Sequence, residues 1–159
     1  MKRYILVGIL LLTMGAIIGC GGGDNNAGAP EEDYPPATPG VYVDVTPPQA
    51  KKIIGDMANL VIIDVSSAYN QGHIPGSLNY VLADGSLDLV APILEKTKTY
   101  LVYARTDEES VAGAQKLIDL GLEKVYRLAG NLQAWVDAGY ATEVKEGQET
   151  DYGVAPVNP

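Results

Sequence analysis

Between residues 41 and 144, short apolar runs alternate with segments whose apolar residues return every three or four positions. Val41 to Val45 alternates apolar and polar side chains, as a half-buried strand does. Leu60-Val61-Ile62-Ile63-Asp64-Val65 is apolar up to its aspartate, which predicts a central parallel strand buried on both faces. Tyr100 to Tyr103 and Lys124 to Leu128 are two further strand-like runs. The intervening segments have a helical period: Ala50, Ile53, Ile54 and Met57; Leu87, Val90, Ala91 and Leu94, with Pro92 limiting regularity; Val111, Ala114, Leu117 and Ile118; and Leu132, Trp135 and Val136, a shared face that puts Trp135 in the core. Thr46-Pro47-Pro48-Gln49 matches a capping box with proline at the first helical position, and Gly121 matches a helix C-cap. The alternation predicts a single α/β domain, a small parallel sheet with helices on both faces.

The N-terminus changes where that domain would sit. Lys2 and Arg3 precede an apolar run from Tyr4 to Ile18, too short for a comfortable span and built like a secretory signal. It ends Ile17-Ile18-Gly19-Cys20, which resembles the bacterial lipobox. Residues 1–19 are therefore expected to be a lipoprotein signal peptide, with lipid attached at Cys20 and the protein facing periplasm or extracellular space. Residues 20–40, rich in Gly, Asn, Ala, Pro and acid, are expected to be a flexible linker, and residues 145–159 a disordered acidic tail. The domain itself is expected over residues 41–144.

Composition then restricts the chemistry. Cys20 is the only cysteine in the sequence, so a lipidated form has no thiol left for a disulfide or a persulfide. The net charge is -9; removing residues 1–19 takes away only Lys2 and Arg3, leaving 9 basic against 20 acidic residues, or -11. Such a surface disfavours nucleic acid and small dianions. One histidine, His73, cannot make a typical zinc site without several converging carboxylates, and no cofactor or metal is expected.

Three motifs carry a family resemblance. Val102-Tyr103-Ala104-Arg105, a polar loop and Ser110 opening a helix resemble the active-site strand and loop of the rhodanese (sulfurtransferase) family. Asp64-Val65-Ser66 followed by Gly72-His73-Ile74-Pro75-Gly76-Ser77 resembles its second signature, and Ala129-Gly130-Asn131 through Ala134-Trp135 its third. The resemblance implies one rhodanese-like domain with a mostly parallel five-stranded sheet. It also implies that Ala104 stands where the nucleophilic cysteine belongs, Asp107 where a loop glycine lies, Glu109 where a second basic residue lies, and Asn131 where a second glycine lies.

The expected site is thus a degenerate loop, Ala104, Arg105, Thr106, Asp107, Glu108, Glu109 and Ser110, flanked by Asp64 and His73. Thr106 and Ser110 keep hydroxyls but have no recognisable base, and a hydroxyl cannot carry sulfane sulfur. The acidic trio reads first as helix capping. For His73 and Asp64, hydrogen bonding that holds loops together outweighs a catalytic role. The sequence therefore predicts a membrane-tethered rhodanese-like domain without sulfurtransferase activity, binding an envelope protein or a small ligand at the degenerate loop. The alternative is thiosulfate sulfurtransferase-type transfer, if Ala104 is an introduced substitution or a partner supplies the thiol.

Overall fold

Five strands, β1 (Val43–Val45), β2 (Leu60–Asp64), β3 (Leu78–Asn79), β4 (Thr99–Tyr103) and β5 (Lys124–Leu128), form one sheet in the order β1-β5-β4-β2-β3. Every neighbouring pair is parallel. The computed structural model describes residues 33–144. The expected signal peptide (1–19), Cys20 with most of the linker, and the tail (145–159) lie outside the described residues. All five residues of β4 are buried, as the middle strand of a sheet covered on both faces requires. The edges are short: β1 starts at Val43 instead of Val41, and β3 has two residues, too few for any periodicity to reveal it in sequence.

Helices cover both faces. α1 (Pro47–Asp56) and α4 (Asn131–Asp137) pack Ala50, Ile53, Leu132 and Trp135 against Leu101, Tyr103, Tyr126 and Leu128. α2 (Ser86–Val90), the 3-10 turn at Ala91–Ile93 and α3 (Asp107–Asp119) pack Leu87, Ala91, Ala114 and Leu117 against Ile63, Val65, Tyr100 and Val102. Thr46 caps α1 as its sequence predicts: the Gln49 N–H donates to Thr46 Oγ1, and the Thr46 N–H donates to Gln49 Oε1 at 2.9 Å. Gly113 sits in α3 where a Cβ would stand 3.0 Å from Val65 Cγ1, so glycine lets the helix close on the sheet. One expected face is corrected. Val136 is 47% exposed, because the buried stripe of α4 runs through Asn131, Leu132 and Trp135, and Val136 lies a quarter turn from its centre.

The chain from 33 to 40, expected to bury nothing, packs on the domain. Tyr34 meets Tyr126 edge to face with centroids 6.2 Å apart, the Tyr126 hydroxyl donates to the Pro35 carbonyl, and Ala37 joins the same core cluster. Proline and glycine made this segment look like linker, yet its contacts with Tyr126 need no secondary structure. Tyr34→Ala should cost about 1–2 kcal/mol, the worth of an aromatic pair plus its buried area. A urea midpoint equal to that of the parent would show that the segment contributes nothing. Among the described residues no helix is long and apolar enough to cross a membrane.

Candidate functional site

From β2 the chain moves outward to β3, and from β4 it moves the opposite way to β5. Such a switch opens a crevice at the C-terminal ends of the two strands, where α/β proteins place ligands. β2 delivers Asp64 and Ser66 there, and β4 delivers Ala104, Arg105 and Thr106 ahead of α3.

The loop is closed by its own side chains. Ala104 has no solvent exposure, and its N–H donates to Asn131 Oδ1 at 3.2 Å. Asn131 Nδ2 in turn donates to Asp107 Oδ1 at 2.9 Å. Asn131 has φ 59, the only positive φ outside glycine among the described residues. Asparagine is among the few side chains that accept this conformation at modest cost, so the position admits a polar group that reaches back into the loop. Asp107 Oδ1 also accepts from Arg127 Nη1 at 2.7 Å, while Arg127 grips Asp44 with Nε and Nη2 at 2.7 and 2.9 Å. These carboxylates, Asp44 first, raise the Arg127 pKa and keep the guanidinium charged.

Both arginines near the loop have partners within the domain. Arg105 Nη2 donates to the carbonyls of Ala68 and Gly72 at 2.9 and 2.8 Å, which ties the loop after β4 to the loop after β2. The Thr106 hydroxyl accepts from the Glu109 N–H and donates to the Glu109 carboxylate, capping α3. Asp107, Glu108 and Glu109 fill the first helical turn, where a positive dipole end would otherwise receive an anion. Ser110 is fully buried; its Oγ donates to the Asp107 carbonyl and accepts from Arg127 Nη1. Neither hydroxyl has a histidine within the bonds it makes. Among the described residues, no group of three or more His, Cys, Asp or Glu is disposed to hold a metal ion.

The two flanking residues sit differently from each other. Asp64, expected beside the pocket, is wholly enclosed: its Oδ1 accepts from the Ser66 N–H and Oγ at 2.8 and 2.7 Å, and its Oδ2 has no hydrogen-bond partner. The Tyr103 hydroxyl nearby is engaged by the Ile74 N–H and Ser77 Oγ, each at 2.9 Å. Burial pushes the Asp64 carboxyl above its ordinary value, against the opposing pull of Ser66. The native state thus holds this proton longer than the unfolded chain, so Asp64 costs stability as pH rises through its native value. Asp64→Asn keeps an acceptor for Ser66 and removes the charge. Its Nδ2 takes the unpartnered place of Oδ2, so the cost of an unsatisfied buried group stays, but the variant should lose the fall in stability that the parent shows as pH rises through the native Asp64 value. Urea unfolding across a pH series checks it, and a fall of the same size in parent and variant contradicts it. His73, by contrast, lies at a groove with Tyr69, Glu143 and Val144, next to Gly72, whose carbonyl Arg105 holds.

Asn131, Arg127 and Asp44 are the members of this network whose part sequence reading missed. Asn131 in a glycine slot was a visible signal. Arg127 gave none until strand register placed Asp44 opposite it.

Comparison with known proteins fits this geometry. The chain is 30% identical to the rhodanese-like domain of an Anabaena sp. protein, covering 73% of this chain and 89% of that one with a TM-score of 0.58. A Rhodopseudomonas palustris protein of unknown function is 26% identical over 64% of this chain and 85% of its own, with a TM-score of 0.56. A thiosulfate sulfurtransferase from Pseudomonas aeruginosa, 24% identical over 65% of this chain and 20% of its own with a TM-score of 0.56, shares the fold. Residues 46–138 match the family described as the rhodanese-like domain, and with three signature motifs gathered around one crevice the chain belongs to that family.

Proposed function

We propose that this protein is a rhodanese-like domain that does not transfer sulfur and serves as a binding module tethered to the cell envelope. The observation that carries the reading is the closed loop: Ala104 offers no nucleophile, its N–H is satisfied by Asn131, and both nearby arginines are spent on internal partners. Sulfane transfer needs a thiolate to hold the sulfur and donors to stabilise its charge. Here the thiolate is missing, the Ala104 N–H is already bonded, and Arg105 and Arg127 have partners within the domain.

The tether rests on the lipobox-like end of the N-terminal apolar run. Acyl chains contribute about 0.8 kcal/mol per buried methylene, so a multiply acylated Cys20 would hold the domain at a membrane without a spanning helix. Labelling cells with a fatty-acid analogue tests this: the parent should take up label and Cys20→Ser should not. Equal labelling of both would remove the tether.

For the activity, purified protein supplied with thiosulfate and cyanide should form no thiocyanate above a blank. Turnover by the parent would overturn the reading and favour the alternative, thiosulfate sulfurtransferase-type transfer. The acidic first turn of α3 makes the exposed rim of this loop more suitable for a basic protein surface than for an anionic substrate.

A further inference from the structure

We propose that the groove beside the Gly72–Gly76 turn takes an alkylammonium group, held between His73 Nε2 and Glu143. The proposal stands apart from the silent loop and involves none of its residues.

It begins with a tautomer. His73 is 5% exposed and stacks on Tyr69, with ring centroids 3.8 Å apart and an interplanar angle of 14°. Its Nδ1 lies 3.1 Å from the Tyr69 carbonyl oxygen. A carbonyl can only accept, so Nδ1 carries the hydrogen, and in the neutral ring Nε2 is left with a bare lone pair. That lone pair faces Glu143 Oε2 at 3.8 Å, beyond hydrogen-bond distance. Among the described residues, no donor lies between these two acceptors.

The backbone fixes the pair in this relation. The His73 N–H donates to the Glu143 carbonyl at 2.8 Å, and the Glu143 N–H donates back to the His73 carbonyl at 2.9 Å. Two nearby donors of the described residues are engaged elsewhere: Arg105 Nη2 donates to the Ala68 and Gly72 carbonyls, and the Tyr69 hydroxyl donates to the Ser77 carbonyl at 2.6 Å. The groove holds about 360 Å³ and is lined by Tyr69, His73, Glu143 and Val144. An ammonium brings three N–H donors to two acceptors and a charge opposite to that of Glu143. An anion would meet two lone pairs and a carboxylate. Glu143 and Val144 follow the residues matched by the family, so the site belongs to this chain's own C-terminal return.

His73 is the only histidine, so the imidazole nitrogens of the full-length chain labelled with ¹⁵N-histidine report this site alone. The probe is butylammonium chloride in mildly alkaline buffer, where imidazoles are neutral, with sodium chloride and tetramethylammonium chloride at matched ionic strength. The Nε2 resonance should shift and saturate with butylammonium and stay in place with both controls. Glu143→Gln, whose backbone pairing is untouched, should weaken the apparent affinity at least about tenfold. A blocked Gly-Lys-Gly peptide that saturates the shift would assign the site to a partner's lysine, and saturation by spermidine alone to a free polyamine. The proposal is overturned by an unsaturable response, by an equal response to tetramethylammonium, by unchanged affinity in Glu143→Gln, or by a spectrum showing the hydrogen on Nε2.

Discussion

Arg127→Met should destabilise the protein by about 2–3 kcal/mol and loosen the start of α3. Arg127 is a nearly buried cation, with its side chain 9% exposed, and it makes charge-assisted hydrogen bonds to Asp44 and Asp107 and a further bond to Ser110. Hydrogen bonds to charged groups contribute about 1.5–3 kcal/mol each. Breaking a fully buried pair costs about 3–5 kcal/mol, because a stranded charge stays in the core. Here the stranded partners can rehydrate, since the Asp44 and Asp107 side chains are 51% and 71% exposed, so the cost falls below that range. Methionine fills the stem's volume and separates the charge from the packing. Lysine should recover only part of the loss, because it cannot reproduce the two-pronged grip on Asp44. Urea unfolding gives the free energy, and amide exchange in the first turn of α3 gives the location. A loss under about 0.5 kcal/mol, the scale of an ordinary exposed ion pair, would mean the network is ornamental.

The second large effect concerns access to position 104. In Ala104→Cys the new thiol should react slowly with an alkylating reagent, because Ala104 is wholly enclosed and Asn131 spans from its N–H to Asp107. Adding Asn131→Gly removes that bridge, and glycine accepts the positive φ without strain. The double variant should be alkylated at least about tenfold faster than the single one, the rate ratio that about 1.4 kcal/mol of lost closure would produce. Equal rates in the two would show that Asn131 does not close the loop. Cys20→Ser in both backgrounds leaves position 104 as the only thiol.

Much of the fold was legible because single residues had single physical explanations. Thr46 and Gln49 could satisfy one another only at a helix start, and Gly121, at φ 83, follows the end of α3 as a left-handed cap. The run ending at Asp64 read as a buried strand because no polar position interrupts it. β3 escaped because two residues have no period, and the 33–40 segment because its contact lies in Tyr34 and the backbone of Pro35 instead of an apolar run. The site was half legible. Motif spacing placed Ala104 and the acidic turn, but the cross-strand meeting of Asp44 with Arg127 depends on register between the first and last strands of the chain. Asp64 likewise belongs to the floor of the crevice, where only packing could show that its second oxygen goes unanswered.

The central claim is that this loop cannot carry sulfur, through the lack of a nucleophile and the lack of a free cradle together. The most direct measurement is thiosulfate:cyanide transfer by Ala104→Cys run beside the parent. Both should be silent, because restoring the thiol leaves Asn131 on the loop amide, Arg105 and Arg127 on their internal partners, and three carboxylates at the helix start. Turnover by Ala104→Cys alone would contradict the closed cradle and leave the missing thiol as the sole defect, while turnover by the parent would contradict the account as a whole.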